Sequence, residues 1–312
     1  MILAGIDEAG LGPKLGPLVT AASALRVPED WLPETPWDKL AEFVSRTGGR
    51  RDRRLAVGDS KVIHKSSGMA GMEKTLGAFS ILANGSAMFP LRPSSDAKAS
   101  PPHPCYLTNG PRPPLHFTLD DFARDAETLR VALGAVRAEA VHLEAAPLHE
   151  PAMNQRFSSG LNKNQVLLME TGARLLGLEA AFPGEEILVV ADKQGGRDDY
   201  RPFLTGLFPG CWLDALATGR QESRYRLRRE KGDMTILFKA KGDRDSFATA
   251  LASLAAKYVR ERSMAELNAW FAERRPHIRP TAGYPEDAAR WLAEMRSSGI
   301  EEEALSPFVR SR

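Results

Sequence analysis

The chain has little cysteine, little net charge and no long apolar run. Cys105 and Cys211 are its two cysteines, too few for a disulfide framework or a cysteine-based zinc site, and they fit a reducing, cytoplasmic setting. The longest weakly charged stretch, Thr75 to Leu91, is interrupted by Gly77, Asn84, Gly85 and Pro90, which excludes a convincing membrane span. The opening residues carry no basic segment and place carboxylates at Asp7 and Glu8, unlike a secretory signal. No Walker-type loop, HExxH or CxxC occurs, and the six histidines (64, 103, 116, 142, 149, 277) are scattered, mostly in expected loops. They read as surface groups rather than ligands.

What is present is ordinary in amount. The 312 residues are 43% hydrophobic and 26% charged, enough for a sizeable core in one large α/β domain or two modest ones. The net charge of +2 hides a local surplus: between Arg220 and Arg262 twelve Lys/Arg face six Asp/Glu. Such a segment suits a polyanionic ligand, and equally a solvated hairpin and helix.

Residues 2–7 form a short apolar run followed by a Gly/Pro-rich turn (Gly10, Gly12, Pro13, Gly16, Pro17), and Leu18 to Leu25 form a second; together they predict a hairpin. Helices are expected over 38–46, 120–138, 162–178 with Gly177 as stop, and 246–262, where Phe247, Leu251, Leu254 and Tyr258 share a face. Positions 48–54 read as a basic loop. The run 186–191, ending in Asp192, reads as a strand buried on both faces, and 223–241 as a hairpin turning at Lys231-Gly232-Asp233. Eight prolines between Pro90 and Pro114 mark a loop or flexible insertion outside the core. The tail, 263–312, reads as helical with breaks near Pro276 and Pro285.

The acids stand at the ends of these strands: Asp7 and Glu8 after the first, Asp192 after the third, Asp243 after the strand at 235–240. Ligands favour that edge of an open α/β sheet. Clustered carboxylates repel, by ~1–4 kcal/mol per pair at ~4 Å, and Mg²⁺ or Mn²⁺ with hard oxygen ligands is the usual remedy. Two such ions support phosphodiester hydrolysis. The plainer alternative is that these are loop acids, with Asp243 or Asp245 capping the next helix. Two other motifs fare worse. Gly10-x-Gly12-x-x-x-Gly16 has the wrong spacing for a dinucleotide loop and sets Asp7 and Glu8 beside the pyrophosphate; Gly58-Asp59-Ser60 lacks a histidine partner motif.

Taken together the motifs resemble a family. Gly5-Ile6-Asp7-Glu8-Ala9-Gly10-Leu11-Gly12-Pro13 is similar to the opening motif of ribonuclease HII, Asp59-Ser60-Lys61 to its D-S-K, and Lys241-Gly242-Asp243 to its K-G-D. The helix 248–262 resembles the family's alanine-rich helix, Asn162 its N-I-L helix, and Ala282-Gly283-Tyr284-Pro285 its C-terminal G-Y segment. These matches span residues 5 to about 292 in family order. The resemblance implies a ribonuclease H-like mixed sheet flanked by helices, formed by residues 1–262 with inserts near 85–116 and 193–240. A helical extension, 263–312, would pack on it. It implies Asp7, Glu8, Asp192 and Asp243 as catalytic ligands of two Mg²⁺ or Mn²⁺ ions. The implied substrate is an RNA/DNA hybrid or a duplex with embedded ribonucleotides, and the implied state is monomeric. Gly10 and Gly12 would meet the ribose 2′-OH, which separates RNA from DNA, and Tyr284 would pack on the following nucleotide. Lys61 joins these as a substrate-binding candidate.

Leu11 stands where the family has Arg or Lys, removing a cation; Lys14 is the candidate replacement. The hairpin bases, Arg224 with Tyr225 foremost, are candidates for tracking a phosphate backbone or stacking on a base, with a structural hairpin as the alternative. Two rival functions follow: a nuclease of the same scaffold acting on another nucleic-acid structure, and a non-catalytic hybrid-binding module.

Overall fold

A computed structural model describes residues 1–49, 51–89, 91, 102–106 and 114–312. β1 (Ile2–Ala9) and β2 (Leu18–Arg26) pair antiparallel, Ile2 opposite Arg26 and Ala9 opposite Val19. Both are almost wholly buried, as their uninterrupted apolar runs require. A short helix α1 (Thr35–Lys39), a small parallel pair β3 (Val44–Ser45) and β4 (Leu55–Ala56), α2 (Ser60–Asn84) and α3 (Leu119–Ala135) follow. β5 (Glu139–Leu148) then lies antiparallel on the outer side of β2.

After α4 (Glu150–Ser158) and α5 (Lys163–Ala181), β6 (Ile187–Asp192) runs parallel to β1 with Ile6 beside Ala191. α6 (Arg201–Leu207) leads to β7 (Trp212–Thr218), β8 (Glu222–Arg228) and β9 (Met234–Lys239). β9 returns parallel to β6, and β8 and β7 extend the sheet antiparallel beyond it. The seven strands stand in the order β5-β2-β1-β6-β9-β8-β7. The chain closes with α7 (Gly242–Asp245), the long α8 (Phe247–Ala272), α9 (Pro285–Ser297), α10 (Glu302–Leu305) and a 3₁₀ turn at Ser306–Phe308. This is the mixed sheet flanked by helices that the resemblance implies. Among the described residues no helix is long and apolar enough to cross a membrane.

The alternation of β1 explains the layers. Leu3 joins a core with α2, α3 and α8, while Ile2, Ala4 and Ile6 join a second with α5, α6 and the inner face of β8 and β9. Each large apolar side chain so buried contributes about 1.5–3 kcal/mol. α8 reaches closest to the sheet. Ser23 Oγ donates to Ala248 O (2.7 Å) and Thr249 Oγ1 to Val190 O (2.8 Å).

Several expectations change. Residues 38–46 are not one helix: α1 ends at Lys39, and Val44–Ser45 pairs with Leu55–Ala56. Gly177 lies inside α5, which runs on to Ala181 because Leu178 still buries its side chain in the core. The boundary drawn at 262/263 falls inside the continuous helix α8. Of the proline-rich stretch, 90, 92–101 and 107–113 lie outside the described residues, but Cys105 and Tyr106 are buried in a cluster with Trp291 and Phe308. That part belongs to the core, since it covers the apolar side of the C-terminal helices. Nor is every histidine superficial: His149 is buried beneath the Tyr106 ring, 4.4 Å between centroids.

Gly5 is the point of closest approach between β1 and α8: a Cβ there would stand 2.0 Å from the Thr249 backbone nitrogen. Gly5→Ala is therefore expected to lower stability by at least about 1–3 kcal/mol, read by denaturant unfolding. An unchanged midpoint would contradict this packing.

Candidate active site

β1, β6 and β9 are parallel, so their C-terminal ends open on one edge of the sheet. Asp7 and Glu8 leave the end of β1, Asp192 is the last residue of β6, and Asp243 follows β9 in α7. All four line a single cleft of ≈ 420 Å³. The turn that delivers Asp243 is tight. Lys241 takes a left-handed conformation (φ 61°, ψ 41°), and the Gly242 N–H donates to Asp192 Oδ1 at 3.1 Å. One bond thus joins the ends of two acid-bearing segments.

The four carboxyls are held protonated more readily than in water. Burial pushes Asp7 well up, Glu8 and Asp192 add repulsion, and a hydrogen bond with Ser253 opposes them. Glu8 rises to about 7, first through burial and then through repulsion by Asp192, with Asp243 adding a further push. Asp192 is raised by burial against the pull of the Gly242, Lys193 and Lys241 backbone amides. Asp243 is raised by burial and by Asp59 and Asp192, while Arg244 and Lys61 draw it down. Positive charge in the cleft would relieve carboxyls that repel one another in this way.

Cations surround the acids. Lys61, Lys241, Arg244, Lys257 and Arg260 share the cleft. Ser253, Lys257 and Arg260 recur at i, i+4 and i+7 on α8, one face of the helix. Lys257 Nζ and an Arg260 guanidinium nitrogen both bond Glu261 Oε1 (2.6 and 2.8 Å). Arg260 also donates to Ala282 O at 2.8 Å and lies 5.3 Å from the centre of the Tyr284 ring. The Ser253 and Ser60 hydroxyls are in hydrogen-bond contact at 3.1 Å, and Asp59 caps α2 through the Lys61 and Val62 amides.

Of the residues singled out from sequence, Asp7, Glu8, Gly10, Leu11, Gly12, Lys61, Asp192, Asp243 and Tyr284 come together at this cleft. Lys14 does not line it. Its backbone N–H donates to Gly283 O (2.8 Å) and its carbonyl accepts from Arg310 N–H (2.9 Å). Its side chain neighbours Lys163, whose pKa is lowered by burial and then by Lys14. Arg224 and Tyr225 are elsewhere. Tyr225 is 0% exposed, in the core with Tyr200 and Phe238, its hydroxyl accepting from Tyr200 N–H at 2.9 Å. Arg224 points to the opposite side of β8, beside Glu222 (3.2 Å), and lines another cleft with Met1 and Leu32. A strand's period of two separates neighbours, so basic and aromatic residues adjacent in sequence cannot share a binding face here. Missed from sequence were Ser253, Lys257 and Arg260, whose helical spacing was a usable signal, and Arg244, which had none. Asp59 and Ser60 were noted only as part of a motif.

The donor set is of the hard oxygen type that suits Mg²⁺ or Mn²⁺, and its mutual repulsion is what a cation relieves, so the residues fit such an ion in chemistry. Among the described residues no group of three or more His, Cys, Asp and Glu is so arranged that it could hold a metal ion.

Fold and cleft together define an α/β protein with a partly buried carboxylate cluster at the ends of parallel strands. No family model and no curated protein matches the sequence. Among solved structures the chain is similar to the ribonuclease HII of Archaeoglobus fulgidus in its complex with PCNA: 17% identity, 100% of this chain and 95% of that one covered, TM-score 0.47. It is similar to ribonuclease H2 from Pyrococcus horikoshii OT3 (17%, 99% and 92% covered, TM-score 0.44). It is also similar to Bst-RNase HIII in complex with Mn²⁺ (18%, 100% and 66% covered, TM-score 0.46). These likenesses are too distant to carry a function, which has to be read from the cleft.

The raised Glu8 has a consequence for stability. Unfolded, Glu8 gives up its proton near 4.5; folded, it keeps it to about 7. Between those values the folded state binds more protons, so stability falls as pH rises through that window. With chelator present, the protein should melt at a lower temperature at pH 8 than at pH 5, and Glu8→Gln should narrow the gap. Thermal scans showing equal pH slopes for both proteins would refute this.

Proposed function

We propose that this cleft is the active site of a metal-dependent endonuclease of the ribonuclease H type. It would hydrolyse the RNA strand of RNA/DNA hybrids, or cut at ribonucleotides embedded in duplex DNA, in the cytoplasm. The observation that carries the reading is the convergence of Asp7, Glu8, Asp192 and Asp243 on one cleft rimmed by Lys61, Lys241 and Arg244. Such a rim attracts a phosphate backbone, and such a cluster has no structural use when unneutralised. The motif order from Gly5 to Pro285 points to the same class.

As they stand the four acids do not close around an ion; drawn together they would hold Mg²⁺ or Mn²⁺, and these ions, when bound, would neutralise the cluster, activate water and stabilise charge on the leaving oxygen. The chain's own part is positional. Asp7 is steadied by Ser253, and Asp192 by the Gly242 amide. The Gly10–Gly12 loop and Tyr284, 49% exposed, line the cleft; the loop would read the ribose 2′-OH and Tyr284 would pack on the next nucleotide. Arg260 holds Tyr284 from behind. With Leu11 supplying no charge, Lys61, Lys241 and Arg244 are cations of the cleft that could face the scissile phosphate. By the resemblance the products carry a 3′-OH and a 5′-phosphate.

The test is cleavage of a labelled duplex carrying one ribonucleotide, with Mg²⁺ and Mn²⁺ tried separately. An all-DNA duplex and Asp192→Asn serve as controls. We expect a metal-dependent cut at the ribonucleotide, absent from all-DNA, and a loss of ~100-fold or more in Asp192→Asn, equivalent to several kcal/mol. Wild-type rates in Asp192→Asn would overturn the reading. Cleavage indifferent to the 2′-OH would transfer it to another nucleic-acid structure, the alternative that Leu11 favours. Binding of a hybrid without cutting in any metal would favour a binding module.

A further inference from the structure

The loop between β1 and β2 is held from below by the far end of the chain. Arg310 is 1% exposed, and its guanidinium is spent on loop carbonyls. It donates to Gly10 O at 2.6 Å, Pro13 O at 3.1 Å and Gly16 O at 2.9 Å, and stands 3.5 Å from Leu11 O. The main chain follows suit. Val309 bridges Leu15 antiparallel, and Arg310 N–H donates to Lys14 O. Asn154 grips the segment on both sides, donating to Val309 O and accepting from Ser311 N–H, each at 2.8 Å. The charge is balanced within the same pocket by Glu150, 0% exposed, whose Oε1 accepts from the Gly16 N–H (2.8 Å) and the Tyr106 hydroxyl (2.6 Å).

This arrangement decides which way the loop's amides face. A trans peptide sets its C=O and N–H on opposite sides, and no peptide bond here is cis. With the Gly10 and Leu11 carbonyls turned down to Arg310, the N–H groups of Leu11 and Gly12 turn away from it. Both residues line the cleft, and neither amide has an acceptor among the described residues. Two adjacent free donors beside a carboxylate cluster form a small anion- or hydroxyl-binding feature.

We propose that Arg310 is a positioning residue for substrate recognition: it clamps the Gly10–Gly16 loop so that the Leu11 and Gly12 amides point at the ribose and phosphate of the bound strand. The inference rests on the nuclease reading for the identity of the ligand, but not for the clamp. Lysine cannot reproduce the clamp, since one ammonium cannot span three carbonyls in a plane as a guanidinium does.

The experiment compares wild type, Arg310→Lys and, as control, Arg312→Lys. It measures steady-state cleavage of the single-ribonucleotide duplex and hydrogen exchange at the bonded amides of Lys14, Leu15 and Gly16. We expect Arg310→Lys to lose at least tenfold in kcat/KM, mainly through KM, and at least tenfold in protection at 14–16. Arg312→Lys should stay within twofold on both. Cleavage within twofold and unchanged protection in Arg310→Lys would overturn the proposal. A wild type that cuts no nucleic acid, with protection at 14–16 still lost in Arg310→Lys, would sink the nuclease reading and uphold the clamp. If Arg310→Lys does not fold, Arg310→Gln, which buries no charge, is read by the same two criteria.

Discussion

The seating of α8 on β1 at Gly5 is the contact on which the rest of this molecule depends. A helix can come this close to a strand only where the strand carries no side chain, and the alanines of α8 meet it from the other side. The bonds of Ser23 and Thr249 then fasten the start of α8 to β2, β1's neighbour, and to β6. Because the helix is fixed at its beginning, its second turn brings Ser253 to Asp7, and its next two turns bring Lys257 and Arg260 to the cleft and to Tyr284. The helix is at once half the core and one wall of the site.

That seating forces like charges into a confined space. Asp7 is 9% exposed yet sits among three other acids, and the fold answers with hydrogen bonds rather than ion pairs: Ser253 to Asp7, and backbone amides, that of Gly242 among them, to Asp192. Cations share the cleft, two of them, Lys257 and Arg260, bonded to Glu261. A partly buried cluster that Arg244 and Lys61 offset only in part would be relieved by positive charge supplied from outside. The like charges are thus held together at a cost in stability.

The C-terminal helices serve the same edge of the sheet. Residues Leu15, Met264, Trp291 and Phe308 share a core with Cys105 and Tyr106, so the tail packs with the loop after β1 and with part of the proline-rich stretch. β7 and β8 are likewise built into the sheet, with Tyr225 and Leu227 inside and the arginines of β8 outside. Here the adjacency of Arg224 and Tyr225 misled, because strand geometry sends them to opposite faces. The expected helix over 38–46 failed for a related reason: Val44 and Ser45 found a strand partner in Leu55 and Ala56, a pairing eleven residues away that no local pattern shows.

What the residues determine alone is the set of elements whose burial is local and continuous. The apolar runs of β1, β2 and β6, the periodic faces of α3, α5 and α8, and the acids at the strand ends all follow from period and hydrophobicity, which act within a few residues. The parallel direction of β1, β6 and β9, which gathers those acids, was legible only through motif order. The tertiary structure alone decided the parts that join distant segments. It put Arg310 under Gly10, 300 residues away, placed Arg260 behind Tyr284, and withdrew Lys14 and Tyr225 from the cleft. A buried guanidinium needs acceptors, and the loop carbonyls need donors; which pairs meet is settled only when the whole chain closes, since nothing near Arg310 in sequence distinguishes it from the exposed Arg312.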